Sequence, residues 1–262
     1  MRKYFKIRYE FDREQVLKKI ADQVAAQKPD YVCVADGVIL NIANRNDSYL
    51  DVINSGMFCI CDSSYVPLYV RLLYGERYEQ YCGSQIFHDI VTSGNYKMAF
   101  LGASREVLNG LRKELSSMNR EVKSMLFHEL PFMDVNDFDY PAIAKMLEED
   151  GADIIWIALG APKQEIFMNK LRPHLKKGVM IAVGAAFKFY CGLDVKRAPQ
   201  WMVKNHLEFV HRLCCEPKKQ SRRCYWIVKT LPRLLYEEWR RKHTSSSYTS
   251  NIVDDQRQVK CK

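Results

Sequence analysis

The sequence predicts an α/β fold: a Rossmann-like layered domain with a mainly parallel sheet flanked by helices, and a basic helical C-terminal appendage. Three observations carry this. Short apolar runs recur along the first 195 residues, and most end in a turn of Gly, Asp or Ser before a helical pattern begins, as at Leu101-Gly102-Ala103-Ser104 and at Leu159-Gly160-Ala161-Pro162. Several of these runs are apolar throughout, not alternating, which is how strands covered on both faces read. The positive charge is confined to one segment. Residues 196–242 hold 13 Lys or Arg and four Glu, a net of +9, which equals the net charge of the whole chain.

The elements follow in order. Lys3 to Glu10 alternates like an edge strand. Asp12, with Gln15 three residues on, starts an amphipathic helix to about Gln27. Tyr31 to Ala35 is a strand that ends at Asp36-Gly37. Asp47 caps a short helix through Tyr49, Val52 and Ile53. Met57 to Cys61 is a further strand, followed by Asp62-Ser63-Ser64, and Gln85 to Val91 reads as helix. Lys97 to Leu101 is a strand, and Ser104 caps a helix to about Asn119. Val122 to Phe127 reads as a strand, and Asp139-Tyr140-Pro141 opens a helix that stops near Gly151. Ile154 to Leu159 and Val179 to Val183 complete the strands. Alternation of this kind implies βα units and a parallel sheet. The organisation is a core over 1–195, a basic helical appendage over 196–243 and a tail over 244–262 rich in Ser, Thr, Asn and charge, expected to be disordered.

Composition narrows the class. With 47% hydrophobic residues in 262, the chain can build a sizeable core. Its nine cysteines show no C-x-x-C spacing, so free thiols in a reducing cytosol are expected. No run approaches about 18 apolar residues, so no spanning helix is expected. The opening MRKYFKIRYEFDREQ lacks the apolar stretch of a signal peptide. No dinucleotide-type G-x-G-x-x-G follows the early strands. His206 and His211, five apart without carboxylate partners, make a poor metal site, so neither metal nor cofactor is expected.

Chemistry concentrates at two strand ends. Beyond Leu159, the turn Gly160-Ala161-Pro162 leads to Lys163, Gln164 and Glu165 at the start of a helix. Ligands bind at the carboxyl ends of strands in open α/β sheets, and a helix N-terminus favours an anion there. A turn with solvated polar residues is the plain alternative. Glu165 could bind a sugar or ribose hydroxyl, or simply open the helix, where an acid suits the dipole. Asp62 ends the second strand of this kind. It could be a turn carboxylate, or the base that takes a proton from an attacking hydroxyl. In 196–242, Trp226, Ile227, Leu231, Leu234, Leu235 and Trp239 interleave with Arg222, Arg223, Lys229, Arg233, Arg240 and Arg241. Such a helix suits an anionic membrane surface or packing against the core, on different faces.

The stretches LGAPKQE (159–165), VGAAFKFYCGLDVKRAPQWM (183–202) and LEFVHRLCCEPKKQSRR (207–223) resemble the WecG/TagA/CpsF family of bacterial glycosyltransferases. Its members include the N-acetylmannosaminyltransferase of teichoic-acid linkage-unit synthesis and the N-acetylmannosaminuronic acid transferase of enterobacterial common antigen. The resemblance covers the second half in order and the first half more weakly. It implies an inverting glycosyltransferase that moves an N-acetylhexosamine or its uronic acid from a UDP-sugar donor to a polyprenyl-diphosphate-linked sugar acceptor. The product would enter a cell-envelope or capsular polysaccharide. The enzyme would be cytoplasmic, peripheral on the inner face of the cytoplasmic membrane, with a homo-oligomer left open.

On the family pattern Asp62 falls on the base and Gln164 on a second catalytic position. Asp36, Gly160, Lys163 and Glu165 fall on substrate-binding positions. Arg212, Lys219 and Arg222 fall on the basic residues that touch the acceptor's pyrophosphate. Several positions depart from the pattern. The Thr-Pro-Asn turn is Val34-Ala35-Asp36 here, and Ser63 replaces the Gly after the base. Gln80 and Gln85 stand where an Arg and an Asp are expected, with Arg77 as a substitute cation, and the Gly-Gly-x-Phe-Asp strand end is Ala185-Ala186-Phe187-Lys188. The Val34 and Gln80 changes leave a second class open, a catalytically silent sugar-nucleotide-binding protein. A nucleic-acid binder would explain the charge but not the motifs, so no nucleic acid is expected as partner.

Overall fold

The structure, a computed structural model, describes residues 2–192, 221 and 225–244. An eight-stranded sheet runs through it in the order β1-β2-β4-β3-β8-β7-β5-β6. The strands are β1 (Lys3–Tyr4), β2 (Ile7–Glu10), β3 (Asp30–Ala35), β4 (Phe58–Cys61), β5 (Met98–Gly102), β6 (Leu126–His128), β7 (Ile154–Ala158) and β8 (Val179–Ala182). Every pairing is parallel except β1 with β2. The helices are α1 (Arg13–Ala25), α2 (Gly37–Ala43), α3 (Asp47–Ser55), α4 (Tyr65–Tyr74), α5 (Gly83–Ser93), α6 (Arg105–Met118), α7 (Tyr140–Asp150), α8 (Lys163–Leu171) and α9 (Ala186–Tyr190).

The two faces of the sheet bury separate clusters. Tyr31, Cys33 and Ala35 of β3 pack with α2, α3, α4, α7 and α8 on one side. Val32 and Val34 pack with α1, α5, α6 and α9 on the other. The central strands are buried on both faces, which is why they carry no alternation. Trp156 of β7 is wholly buried, and its indole N–H is directed at Met98 Sδ at 3.3 Å. Burying such a side chain stabilises the fold by roughly 1.5–3 kcal/mol.

Caps place three helix starts where the sequence puts them. Asp12 accepts from the Gln15 amide at 2.9 Å, and Asp139 from Ala142 at 3.0 Å. Ser104 caps α6 through Val107. Three expectations need correction. The cap of α3 is Asn46, which accepts from Tyr49 N at 3.1 Å, and Asp47 is the first helical residue. Lys3 to Glu10 is not one strand but a tight hairpin, turned by Phe5 and Lys6 at φ 52° and 66°. Asn44 fixes that turn by donating to Phe5 O at 3.1 Å. Val122 to Phe127 divides into a 3-10 turn, Arg120–Ser124, and the short β6, because Asn119 accepts from Glu121 N at 3.1 Å and closes a turn first.

Residues 225–244 are helical and lie across α2 and α4. Tyr74 donates to Glu238 Oε1 at 2.7 Å, and Lys242 Nζ to Leu73 O at 2.7 Å. Asn41 reaches Trp226 O at 3.3 Å, and the Arg45 guanidinium stacks on the Trp226 ring at 4.9 Å. Packing on the core is therefore real for one side of this helix. Its other side exposes Tyr225, Val228, Tyr236 and Trp239. Of the appendage expected over 196–243, the described part is 221 and 225–243; of the tail, only Thr244 is described. Among the described residues no helix is long and apolar enough to cross a membrane. Cys33, Cys59, Cys61, Cys82 and Cys191 are free.

Candidate active site

The chain leaves β3 and β7 toward one face of the sheet and leaves β8, which lies between them, toward the other. Adjacent strands that exit to opposite faces open a crevice above their carboxyl ends. Features that follow β4, β7 and β8 lie there. Asp62, half-exposed, follows β4 and is held to the sheet by its N–H to Ala35 O at 3.1 Å. Its Oδ1 accepts from the amide of Gly83, the first residue of α5, at 2.9 Å. This is a charge-assisted bond from a helix N-terminus, where negative charge is favoured. Gly83 fits against β3 and β8: a Cβ there would lie 3.1 Å from Val34 Cγ1 and 3.9 Å from both Val183 O and Asp62 Oδ1.

On the far side of the crevice, Gly160 turns the chain at φ +77° into α8. Gln164 is buried and folds back, its Oε1 accepting from Gly160 N at 3.0 Å. Gly184, at the end of β8, lies against the same amide: its Cβ position is 3.5 Å from Gln164 Oε1. Glu165 is fully buried. Its Oε1 accepts from Gln164 Nε2 at 2.8 Å and its Oε2 from the Tyr49 hydroxyl at 3.0 Å. Burial pushes its carboxyl up to about 7, against the pull of the Gln164 and Tyr49 hydrogen bonds and with Asp36 adding to the rise. Burial likewise drives the Tyr49 hydroxyl far above its ordinary range.

A half-exposed carboxylate on one side and a rigid amide on the other, above a helix N-terminus, suit transfer to a hydroxyl. The Glycosyl transferase WecG/TagA/CpsF family matches residues 3–247.

The chain belongs to this family.

It is thus a glycosyltransferase by family. It is similar to proteins named N-acetylglucosaminyldiphosphoundecaprenol N-acetyl-beta-D-mannosaminyltransferase. The one from Bacillus subtilis is 29% identical over 183 residues, 69% of each chain. The one from Bacillus spizizenii is 24% identical over 241 residues, 88% of each chain. One from Staphylococcus aureus is 24% identical over 210 residues, 79% of this chain and 78% of that protein.

In this glycosyltransferase Asp62 and the Gly160–Gln164–Glu165 group lie at the carboxyl ends of one sheet, with β3 and β8 between β4 and β7. Asp36 borders the group, but its Oδ1 caps α2, accepting from Val38 N and Ile39 N at 2.9 Å each. Lys163 is not gathered into it. Its ammonium donates to Met133 O and lies 5.4 and 5.1 Å from the ring centres of Phe132 and Phe138, in the β6–α7 loop. Arg212, Lys219 and Arg222 lie outside the described residues. Three residues of one family motif, Gly83 kept and Gln80 and Gln85 changed, take local structural roles that the sequence did not show. Gly83 supplies the amide to Asp62. Gln80 donates to Asp62 O at 3.0 Å and braces the same loop, so this departure from the family pattern has a local structural role. Gln85 accepts from Cys82 N at 2.9 Å and caps α5. The signal for Gly83 was its place in the family's Arg-Val-x-Gly-x-Asp motif; for the bond of Tyr49 to Glu165 there was none.

Proposed function

We propose that the protein transfers an N-acetylhexosamine or its uronic acid, N-acetylmannosamine foremost, from a UDP-sugar to a polyprenyl-diphosphate-linked sugar. The observation that supports this reading most is Asp62, set at a strand end on the first amide of α5, at the same end of the sheet as the Gly160–Gln164 turn that follows β7. The relatives are named for making a β-linkage. From an α-linked nucleotide sugar that outcome is a single displacement with inversion. The acceptor oxygen forms its bond to the anomeric carbon as the bond to the diphosphate oxygen breaks. The electron pair leaves with UDP and the hydroxyl proton passes to Asp62. Gln164 orients a polar group of donor or acceptor. Asp36 and Gly160 border the donor diphosphate, which Lys163 would reach only by leaving Met133 O. Arg212, Lys219 and Arg222 supply positive charge to the acceptor's pyrophosphate. No metal or cofactor enters this scheme.

The acceptor is lipid-linked, so the protein works at the inner face of the cytoplasmic membrane, in cell-envelope or capsular polysaccharide synthesis. The outward side of residues 225–244, with Tyr225, Tyr236 and Trp239 beside Lys229, Arg233 and Arg240, suits an anionic lipid surface. Flotation with anionic vesicles should fall as salt rises; binding insensitive to both salt and lipid charge would contradict this. A donor screen by mass spectrometry with a short-chain lipid-diphosphate-N-acetylglucosamine acceptor tests the transfer. A disaccharide product from UDP-N-acetylmannosamine or its uronic acid is expected. Donor binding without transfer or hydrolysis across a UDP-sugar panel would favour the silent binding protein instead.

A further inference from the structure

Glu165 has no access to solvent, so a substrate hydroxyl cannot reach it in this arrangement. Burying a carboxyl is costly, and a residue that only opens a helix needs no burial. Its surroundings show what the carboxyl does. Tyr49 of α3 donates to Oε2, and Gln164 donates to Oε1. The other end of the Gln164 amide accepts from Gly160 N. Turning that amide over would set its NH2 against the Gly160 N–H and, with the carboxyl ionised, its carbonyl against a carboxyl oxygen, so the Gly160 end dictates one orientation and the ionised carboxyl reinforces it. An amide NH2 has two hydrogens, and Glu165 takes one. The ionisable groups facing Glu165 are Tyr49, Cys33 of β3 and Asp36 at the end of β3. The Lys163 ammonium is engaged at Met133 and does not neutralise it. Both the neutral and the ionised carboxyl can accept from Gln164.

We propose that Glu165 is a positioning residue: braced by Tyr49, it locks the Gln164 side chain in the one orientation that presents the second Nε2 hydrogen to substrate. This rests on the reading that Gln164 touches substrate. The chain Tyr49–Glu165–Gln164–Gly160 ties α3 to the β7–α8 turn, and Gly184 closes over the amide from β8. The family-motif glutamate thus acts from below the crevice.

The test uses the full chain and a double-mutant cycle, with kcat and donor KM measured per folded protein. Glu165→Ala should lower kcat about 10-fold while moving donor KM less than about threefold. Glu165→Gln keeps an acceptor for Gln164 and should restore kcat to within about threefold of wild type. In a Gln164→Ala background, Glu165→Ala should cost less than about twofold more, because its target is gone. Full multiplication of the two losses, or wild-type kcat in Glu165→Ala, would overturn the proposal. If Glu165→Ala does not fold, Tyr49→Phe takes its place: a loss of a few-fold in kcat is expected, and wild-type kcat overturns the proposal. A donor-independent arm follows the side-chain amide resonances of Gln164 by NMR. They should shift in Glu165→Gln, and unmoved resonances would overturn the proposal whatever the activity. A shift on Glu165→Gln, where the wild-type protein turns over no donor, supports the positioning and counts against the transfer reading.

Discussion

Asp62 and Glu165 are carboxylates at the same end of one sheet, and the fold handles them in opposite ways. Asp62 follows β4 directly, stays half-exposed, and its Oδ1 accepts from a helix-terminal amide. Glu165 stands three residues into α8, is fully buried, and has both oxygens bonded to side chains. A residue in the turn itself overlooks the crevice. A residue on the inward side of the helix that follows turns beneath it. On the function and the positioning role proposed above, position relative to the strand end divides the work: one carboxyl meets a substrate proton, and the other holds a neighbour still.

The largest effect expected from this division is at Asp62. Asp62→Asn keeps the acceptor for Gly83 N–H but removes the proton acceptor, so turnover should fall roughly 100-fold or more. Donor affinity, measured by calorimetry, should stay nearly constant. Wild-type turnover in that variant would end the assignment of Asp62 as base.

The second effect concerns stability against pH. The Glu165 carboxyl sits at about 7 in the folded protein against an ordinary 4.5. A folded-state value raised in this way means stability that is fully present below the unfolded value and is lost as pH rises through about 7. From pH 5 to pH 8 the wild type should therefore lose stability relative to Glu165→Gln, by up to roughly 3 kcal/mol. Denaturant melts across that range check it. A constant difference would show that Glu165 does not titrate there and that the contrast with Asp62 is one of position alone.

Much of this was legible from residues alone. The strands announced themselves as apolar runs because both faces of the sheet are covered, and the caps Asp12, Ser104 and Asp139 are local hydrogen bonds. Asp62 was readable because a strand end and a polar turn are adjacent in sequence. Other features were not. Helix α2, Gly37–Ala43, has almost no polar face to show a period, because it is covered by the C-terminal helix; Ile227 Cδ1 lies 3.2 Å from where a Cβ on Gly37 would be. Helix α4 exposes Leu68 and Leu72 and carries Pro67 in its first turn, which blurs its pattern. The role of Glu165 depends on Tyr49, 116 residues away, and no spacing rule reaches that far. Lys163 turned to the β6–α7 loop for a similar reason, since Phe132, Met133 and Phe138 are set by folding and not by sequence neighbours.

The most direct measurement compares Asp62→Asn with Glu165→Gln, purified side by side and assayed with saturating donor and lipid-linked acceptor at neutral pH. Both variants swap a carboxyl for an amide of the same shape, so they differ in where the carboxyl stood. The account predicts that Glu165→Gln keeps turnover within about threefold of wild type while Asp62→Asn falls by roughly 100-fold. Equal losses, or a larger loss at Glu165, would contradict the division of work between the two carboxylates.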